Sequence, residues 1–109
     1  MISYDEIDNN KMLLGGMFGL VLFDLTTYTI NTLLKGINYR ISSMLKIDNT
    51  KYIFGNTLGT LFKYDISKWK CLQEKKMKNY ENNYVSYLVK IEEFLIFATD
   101  RIVHYCKDY

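Results

Sequence analysis

The feature that most constrains the fold of this chain is an internal repeat. The stretch from Ile41 to Asp48 and the stretch from Val85 to Glu92 match in character at seven of eight positions. A shorter copy, Ile2-Ser3-Tyr4, stands at the start of the sequence. Repeated units of this size cannot bury an apolar face alone and therefore stack on their neighbours. The repeat thus predicts a modular fold.

Short apolar runs follow each copy of the repeat in a fixed order. They hold about five to seven residues, are rich in β-branched and aromatic side chains, and are separated by Gly, Asn, Asp or Ser, which is typical of β-strands. Apolar residues at helical spacing of three to four are not seen in them. The second runs are 11–15, 51–55 and 94–98; the third are 20–25, 61–66 and 102–105; the fourth are 29–34 and 70–73.

The order and spacing of these runs predict an all-β fold. A period of roughly 40 to 44 residues with four strands is typical of propeller blades. We therefore expect antiparallel four-stranded blades of an incomplete β-propeller, with about 11 strands in one partial domain over residues 1–109. Blade 1 would span about 1–36, blade 2 about 37–76, and blade 3 about 82–109 without its last strand.

Glycines mark the tight turn between the second and third strands. Gly15 and Gly19 recur as Gly55 and Gly59 with the same spacing. Glycine accepts positive φ at no steric penalty, which such turns require. The segment from Gly15 to Gly19 lacks the Lys-Ser/Thr pair of a phosphate-binding loop, so a turn is the better interpretation.

One segment narrows the prediction to a family. The run from Tyr64 to Leu72, read Tyr-Asp-Ile-Ser-Lys-Trp-Lys-Cys-Leu, resembles the third strand end, the turn and the fourth strand of a WD repeat. Phe23-Asp24-Leu25-Thr26-Thr27-Tyr28 is the same element one blade earlier. Each keeps the aspartate of the Trp-Asp pair but replaces the tryptophan by another aromatic residue. The chain thus resembles a degenerate WD-repeat (WD40-like) β-propeller of about three blades.

The resemblance implies a protein-protein interaction scaffold within a larger complex, not an enzyme. The Gly-His pair and the turn aspartate of the family are missing, so its Asp-His-Ser-Trp hydrogen-bond network is not expected. Packing of aromatic and aliphatic side chains should hold the blades instead.

Three blades cannot close a ring, because closed propellers carry about four to eight. Each end blade would expose an apolar face, which marks an interaction surface. We expect other protein chains as partners, either completing the propeller or docking on its loop face. Copies of the same chain could also complete the ring as a homo-oligomer, or the chain could be a segment of a longer protein.

The sequence offers no constellation for catalysis or for metal and cofactor binding. His104 is the only histidine and lies in a predicted strand, and two cysteines lack the clustered spacing of a zinc site. We predict no catalytic, metal-binding or cofactor-binding residues and no cofactor. Cys71 and Cys106 are interpreted as reduced thiols, which favours an intracellular protein, cytoplasmic or nuclear. The apolar runs are too short for a membrane span, and no membrane partner is expected.

The resemblance implies that partners dock on the face that carries the loops between blades and the turns between second and third strands. Tyr and Arg dominate the energetics of protein interfaces. The predicted partner-binding residues are Tyr39, Arg40, Tyr80, Tyr84, Phe18, Asn56 and Arg101.

A concentration of lysines supports an alternative function, an RNA-binding component of a ribonucleoprotein. Between residues 68 and 84 the lysines are opposed only by Glu74 before the tyrosines begin. Lysines would contact phosphates and tyrosines would stack on bases. The simpler interpretation is a long solvated loop from Lys75 to Tyr84. The predicted nucleic-acid contacts are Lys70, Lys75, Lys76 and Lys78.

Overall fold

A computed structural model describes residues 2–76, 84–99, 101–107 and 109, and in these residues the chain forms eleven strands in three antiparallel sheets. The all-β prediction is confirmed. Blade 1 consists of β1 (Ile2–Asp8), β2 (Lys11–Gly16), β3 (Gly19–Asp24) and β4 (Thr29–Leu34). Blade 2 consists of β5 (Ile41–Lys46), β6 (Lys51–Asn56), β7 (Thr60–Asp65) and β8 (Lys70–Lys76). Blade 3 consists of β9 (Tyr87–Ile91), β10 (Phe94–Ala98) and β11 (Val103–Lys107).

Each blade is an up-and-down meander whose strands lie side by side in chain order. One turn of 3-10 helix, Ile37–Tyr39, links blade 1 to blade 2. The blades meet mainly through their first strands, because β5 contacts β1 and β2 on one side and β9 on the other. Within the described residues no helix is long and apolar enough to cross a membrane.

The core lies in the two seams, a term used here for the contacts between adjacent blades. Along β6, Tyr52 and Phe54 point to blade 1, whereas Ile53 between them points to blade 3. Alternate side chains of one strand therefore enter two different cores. The seam between blades 1 and 2 buries Leu13, Leu20, Ile41, Tyr52, Phe54, Phe62, Tyr64 and Ile66. The seam between blades 2 and 3 buries Ile53, Leu61, Val85, Leu88, Leu95, Phe97 and Tyr109.

A small residue near the end of each second strand lets the next blade approach. A Cβ atom at Gly15 would lie 2.6 Å from Cγ2 of Ile41, and one at Gly55 would lie 2.5 Å from Cβ of Val85. Real Cβ atoms do not approach other atoms so closely, so a larger residue would push the blades apart. Ala98 holds the same position in blade 3.

Aromatic packing and one cross-blade hydrogen bond hold the first seam. The rings of Tyr52 and Phe54 stack with centroids 6.0 Å apart, and Tyr64 lies 5.8 Å from Phe54 in a tilted arrangement. The Tyr52 hydroxyl donates to the carboxylate of Asp5 in blade 1. Burial, and then this hydrogen bond, raise the pKa of the Tyr52 phenol, so it stays protonated as a donor.

The aspartates of the repeated Phe-Asp and Tyr-Asp pairs shape the turns after the third strands. Oδ1 of Asp65 accepts hydrogen bonds from the backbone N–H (2.9 Å) and the hydroxyl (2.6 Å) of Ser67. Oδ1 of Asp24 accepts from the N–H of Thr26 at 2.9 Å. Such side chains replace a backbone partner in a turn. Both turns then end at an aromatic residue with positive φ, Tyr28 and Trp69.

Stability should depend on the ionisation of Asp65. Hydrogen bonds from Ser67 lower its pKa below the ordinary value of 3.8. Because the folded-state pKa is depressed, the charged form stabilises the fold above pH 3.8, and this contribution is lost as the pH falls through the lower, folded value. We expect Asp65→Asn to reduce the free energy of unfolding at pH 6 and to have less effect near pH 3.

Urea unfolding of wild type and variant across this pH range measures the difference. All other carboxyl groups are common to both proteins, so their titration cancels. If the difference in the free energy of unfolding between wild type and Asp65→Asn does not change with pH, the charge of Asp65 does not stabilise the turn.

Candidate partner-binding face

The links between blades and the turns between second and third strands lie on one side of the structure. The N–H of Thr57, in the β6–β7 turn, donates to the carbonyl oxygen of Arg40 in the preceding link at 3.0 Å. The N–H of Val85, in the following link, donates to the carbonyl oxygen of Asn56 at 3.0 Å. We call this side the loop face; it contains the described residues 17–18, 35–40, 57–59, 84–86 and 101–102.

Asn56 corrects the predicted set of contact residues. Its side chain is only 1% exposed, so a partner cannot reach it. Nδ2 donates to the carbonyl oxygen of Asn38 at 2.9 Å, and Oδ1 accepts from the N–H groups of Leu58 (3.0 Å) and Thr60 (2.7 Å). Nδ2 thus holds the preceding link, and Oδ1 holds the β6–β7 turn. Buried polar groups with this degree of satisfaction stabilise the scaffold and do not bind partners.

The same position in blade 3 is occupied by Thr99, which has a related role. Its hydroxyl oxygen accepts from the N–H groups of Arg101 and Ile102, both at 3.3 Å. In blade 1 the position is Gly16, and Gly19 in this turn has positive φ, as Gly59 has in the β6–β7 turn. Side chains thus hold the turns of blades 2 and 3, and blade 1 has no side chain at this position.

The link before β5 supplies two of the predicted residues, both half-buried. The ring of Tyr39 packs against Phe62 with centroids 5.5 Å apart and borders the first seam. Arg40 accepts the hydrogen bond from Thr57 through its carbonyl oxygen and keeps part of its side chain exposed. Tyr39 therefore contributes to packing as well as to the loop face.

Three other predicted residues are exposed on the loop face. Phe18 is 46% exposed and Tyr84 is 51% exposed, while Arg101 is exposed in the β10–β11 turn. Tyr80, which was predicted with them, lies outside the described residues.

A pocket of about 240 Å³ opens on the loop face. Its wall combines Met17 of the β2–β3 turn, Thr57 of the β6–β7 turn and Tyr84 of the link to blade 3, with Ile41 and Ser42 of β5. Tyr84 was predicted from the sequence, but Met17 and Thr57 were not. A pocket of this volume is smaller than most sites for drug-sized ligands and suits a single apolar side chain.

Ser42 fixes the wall of this pocket across two blades. Its hydroxyl donates to the carbonyl oxygen of Val85 at 2.7 Å and lies 3.2 Å from the carbonyl oxygen of Gly55. Ser86, at the same place in the next repeat, donates to the carbonyl oxygen of Ala98 at 3.1 Å. The recurrence of these serines in the sequence was a signal of this structural role.

The lysines of the alternative RNA hypothesis lie away from the pocket. Lys70, Lys75 and Lys76 belong to β8, the outermost strand of blade 2, which is exposed along its whole length. Lys78 lies outside the described residues.

The described residues bear on two kinds of chemistry, that of a metal site and that of a reactive thiol. No group of three or more His, Cys, Asp or Glu side chains there could hold a metal ion. Both cysteines are free thiols, and burial is the main cause that raises the pKa of Cys71 and of Cys106. A raised pKa lowers the fraction of thiolate at neutral pH. The ring of His104 stacks on Phe97 with centroids 5.4 Å apart.

Comparison with solved structures confirms the fold as part of a WD40-type propeller. The C-terminal WD40 domain of Sif2 is similar over 93% of this chain, with a TM-score of 0.70 and 18% sequence identity. A chain of the mitotic checkpoint complex matches over 87% (TM-score 0.67, 12% identity), and the computationally designed Ika8 protein over 92% (TM-score 0.65, 18% identity). No protein-family model and no curated protein matches the sequence.

This chain covers only 30–31% of each of these three structures. The likeness therefore extends to a run of blades and leaves the remainder of a ring without a counterpart here.

The structural role of Asn56 can be tested by mutation. We expect Asn56→Ala to reduce the free energy of unfolding by about 1–3 kcal/mol, because buried backbone N–H groups lose their acceptor. Asn49→Ala, in the exposed β5–β6 turn, is the control and should change it by less than about 0.5 kcal/mol. Urea denaturation measures both, and equal effects of the two variants would contradict the role assigned to Asn56.

Proposed function

We propose that this chain acts by binding, as a protein-protein interaction scaffold within a larger complex, and that partners dock on its loop face. The observation that carries the proposal is the pocket lined by Met17, Thr57 and Tyr84 at the junction of three blades. Its walls are held by hydrogen bonds between blades, so the site is formed before a partner arrives. Preformed sites lose less conformational entropy on binding.

The residues around the pocket are of the types that favour protein partners. An apolar side chain of the partner would enter the pocket beside Met17, which is 59% exposed and adapts its shape readily. Tyr84 and Phe18 offer aromatic surface, and Arg40 and Arg101 can pair with acidic groups of the partner. Similarity to WD40 domains, one of them from a checkpoint complex, supports this function. The two free thiols support a reducing compartment, the cytoplasm or nucleus.

Mutation of the loop face should abolish partner capture without unfolding the chain. The variant Met17→Ser/Tyr84→Ser removes two exposed walls of the pocket, and we expect at least about tenfold less partner to be recovered. The assay is affinity purification of the tagged chain from its native cells with quantitative mass spectrometry. Tyr28→Ser, which changes a residue that is 79% exposed in the β3–β4 turn, is the matched control. The proposal fails if both variants retain the same partners in the same amounts.

RNA binding is a second candidate, favoured by the exposure of β8. Lys70, Lys75 and Lys76 project from one edge strand whose only acidic residue is Glu74. Such a strand can follow a phosphate backbone through charge alone.

Salt dependence tests this second candidate. If β8 binds RNA, the affinity for single-stranded RNA should fall steeply as salt rises from about 50 to 200 mM, because bound phosphates release counterions. Lys75→Ala/Lys76→Ala should lower the slope of log affinity against log salt by about 1.4 for a single strand. Filter binding measures both quantities, and absence of binding at low salt removes the candidate.

A further inference from the structure

Among the described residues the outer face of blade 3 has no neighbouring blade, and most of its side chains are apolar. Strand register places Val89, Ile96 and Tyr105 side by side, and Tyr87, Ala98 and Val103 form the next row. Val103 is 71% exposed and Tyr105 is 74% exposed. A cavity of about 470 Å³ runs along this face. Apolar surface of this extent marks a contact region.

The opposite end of the chain has a second open face, on blade 1. The register aligns Tyr4, Leu14 and Val21 in one row, and Glu6, Met12, Phe23 and Ile30 in the next. Tyr4 is 69% exposed and Ile30 is 62% exposed. Both ends of the row of blades therefore expose the kind of surface that the two internal seams bury.

The two open faces are the two halves of a seam. By register, Leu14 and Val21 of blade 1 correspond to Phe54 and Phe62, which blade 2 buries against blade 1. Ile96 of blade 3 corresponds to Ile53, which blade 2 buries against blade 3. Blade 1 can thus pack on the open face of blade 3 in the way that every internal blade packs on the preceding one.

Charges at the rim of these faces favour blade 1 as the neighbour of blade 3 over a blade that carries lysine at the position of Glu6. At the internal seams the third strand of the preceding blade ends in Asp24 or Asp65, and the first strand of the following blade carries Lys46 or Lys90. At the open faces both signs are reversed. Lys107 on β11 has the register position of Asp24 and Asp65, and Glu6 on β1 has that of Lys46.

Pairing blade 3 with blade 1 therefore retains opposite charges at this rim, whereas a blade with lysine there would set two positive charges near each other. Within the chain, Lys107 forms an ion pair with Glu93 at 3.6 Å, and both side chains are more than half exposed. An exposed pair of this kind is weak and can be exchanged for another.

Blade 3 can form such a seam with the three strands that the structure describes. None of the fully buried residues of the two internal cores lies on β4 or β8, although the half-buried Leu33 and Leu34 of β4 pack against the first core. In addition, Tyr109 is buried at the second seam, where its hydroxyl donates to the carbonyl oxygen of Leu61 at 3.1 Å. A blade of three strands therefore presents the positions that the preceding blade buries fully at the internal seams, and lacks only half-buried positions of a fourth strand.

We propose that two copies of this chain associate head to tail, blade 3 of each on blade 1 of the other, to form a closed six-bladed ring. Closed propellers hold about four to eight blades, so two copies fit and three copies, with nine blades, do not. Head-to-tail association gives a ring if the rotation between copies brings the last copy back to the first, and a filament if it does not. The proposal concerns the open faces and is independent of partner binding at the loop face.

The mass of the purified 109-residue chain in solution is the first test. Sedimentation equilibrium or native mass spectrometry should give twice the chain mass of 12.9 kDa at micromolar concentration. A monomer, a trimer or a concentration-dependent filament would each overturn the proposal. Met17→Ser/Tyr84→Ser should leave this mass unchanged, so failure of the ring and failure of loop-face binding are distinguishable.

Complementary variants test the head-to-tail arrangement. Val103→Arg blocks the face of blade 3, and Tyr4→Arg blocks that of blade 1; both positions are largely exposed, so folding should persist by circular dichroism. Each variant alone should dimerise at least about tenfold more weakly. Mixed together they should form a heterodimer, because one of its two seams is unaltered. No recovery on mixing, or a normal dimer from either variant, contradicts the arrangement.

Two further variants complete the test. Leu72→Arg, at a residue 44% exposed on β8 and outside both open faces, should leave the dimer intact. Lys107→Glu should weaken the dimer, and Glu6→Lys in the same chain should restore it by re-forming opposite charges across both seams. A double variant no tighter than Lys107→Glu would overturn the rim contact, and with it the argument for a second copy.

Discussion

The structure depends on burial of both faces of each sheet between neighbouring blades. A sheet with apolar side chains on only one face could pack on a single partner, but β6 points Tyr52 and Phe54 to one side and Ile53 to the other. Blade 2 is therefore stable only between blades 1 and 3. Each seam stabilises the fold because it removes apolar area from water. The open face of each end blade could therefore be stabilised in the same way by a further neighbour.

Apolar packing does not fix the positions of the strand ends, turns and links, and buried polar groups determine them. Ser42 and Asn56 connect strand ends, turns and links through hydrogen bonds to carbonyl and N–H groups of three different segments. Buried hydrogen bonds contribute modestly to net stability but strongly penalise arrangements that break them. They fix the backbone of the β6–β7 turn and of the two links beside it, which form part of the loop face. Separating packing in the seams from recognition on the loops allows partner contacts to vary without loss of the fold.

The seams and the loop face suggest two levels of association. The open faces of blades 1 and 3 are extended and apolar and resemble an interrupted protein core, as in obligate assemblies. The loop face is smaller and mixes aromatic, basic and polar groups, as in exchangeable contacts. A ring assembled through the first kind of surface would present two copies of the second kind on one side, which would raise the effective affinity for a partner with two binding segments.

Much of the fold could be predicted from the sequence, because its determinants are local and repeated. Alternation of apolar residues specified the strands, Gly19 and Gly59 marked turns with positive φ, and the aspartates at 24 and 65 marked the turns that they stabilise. The candidate site was predictable only in part. Tyr84 was found from its residue type and its place in a link, whereas Met17 and Thr57 carried no such signal.

The orientation of the Asn56 side chain is not determined by its local sequence. A turn asparagine has the same sequence signature whether its amide points to solvent or to the backbone of the preceding link. Only the packing of the link before β5 on the end of β6 brings the carbonyl oxygen of Asn38 within hydrogen-bond distance of this amide. The sequence by itself determined strands, turns and their period, since these follow from short-range sterics and side-chain alternation. Which polar groups are buried and which residues share a pocket was decided by tertiary structure, because contacts between blades join residues far apart in the chain.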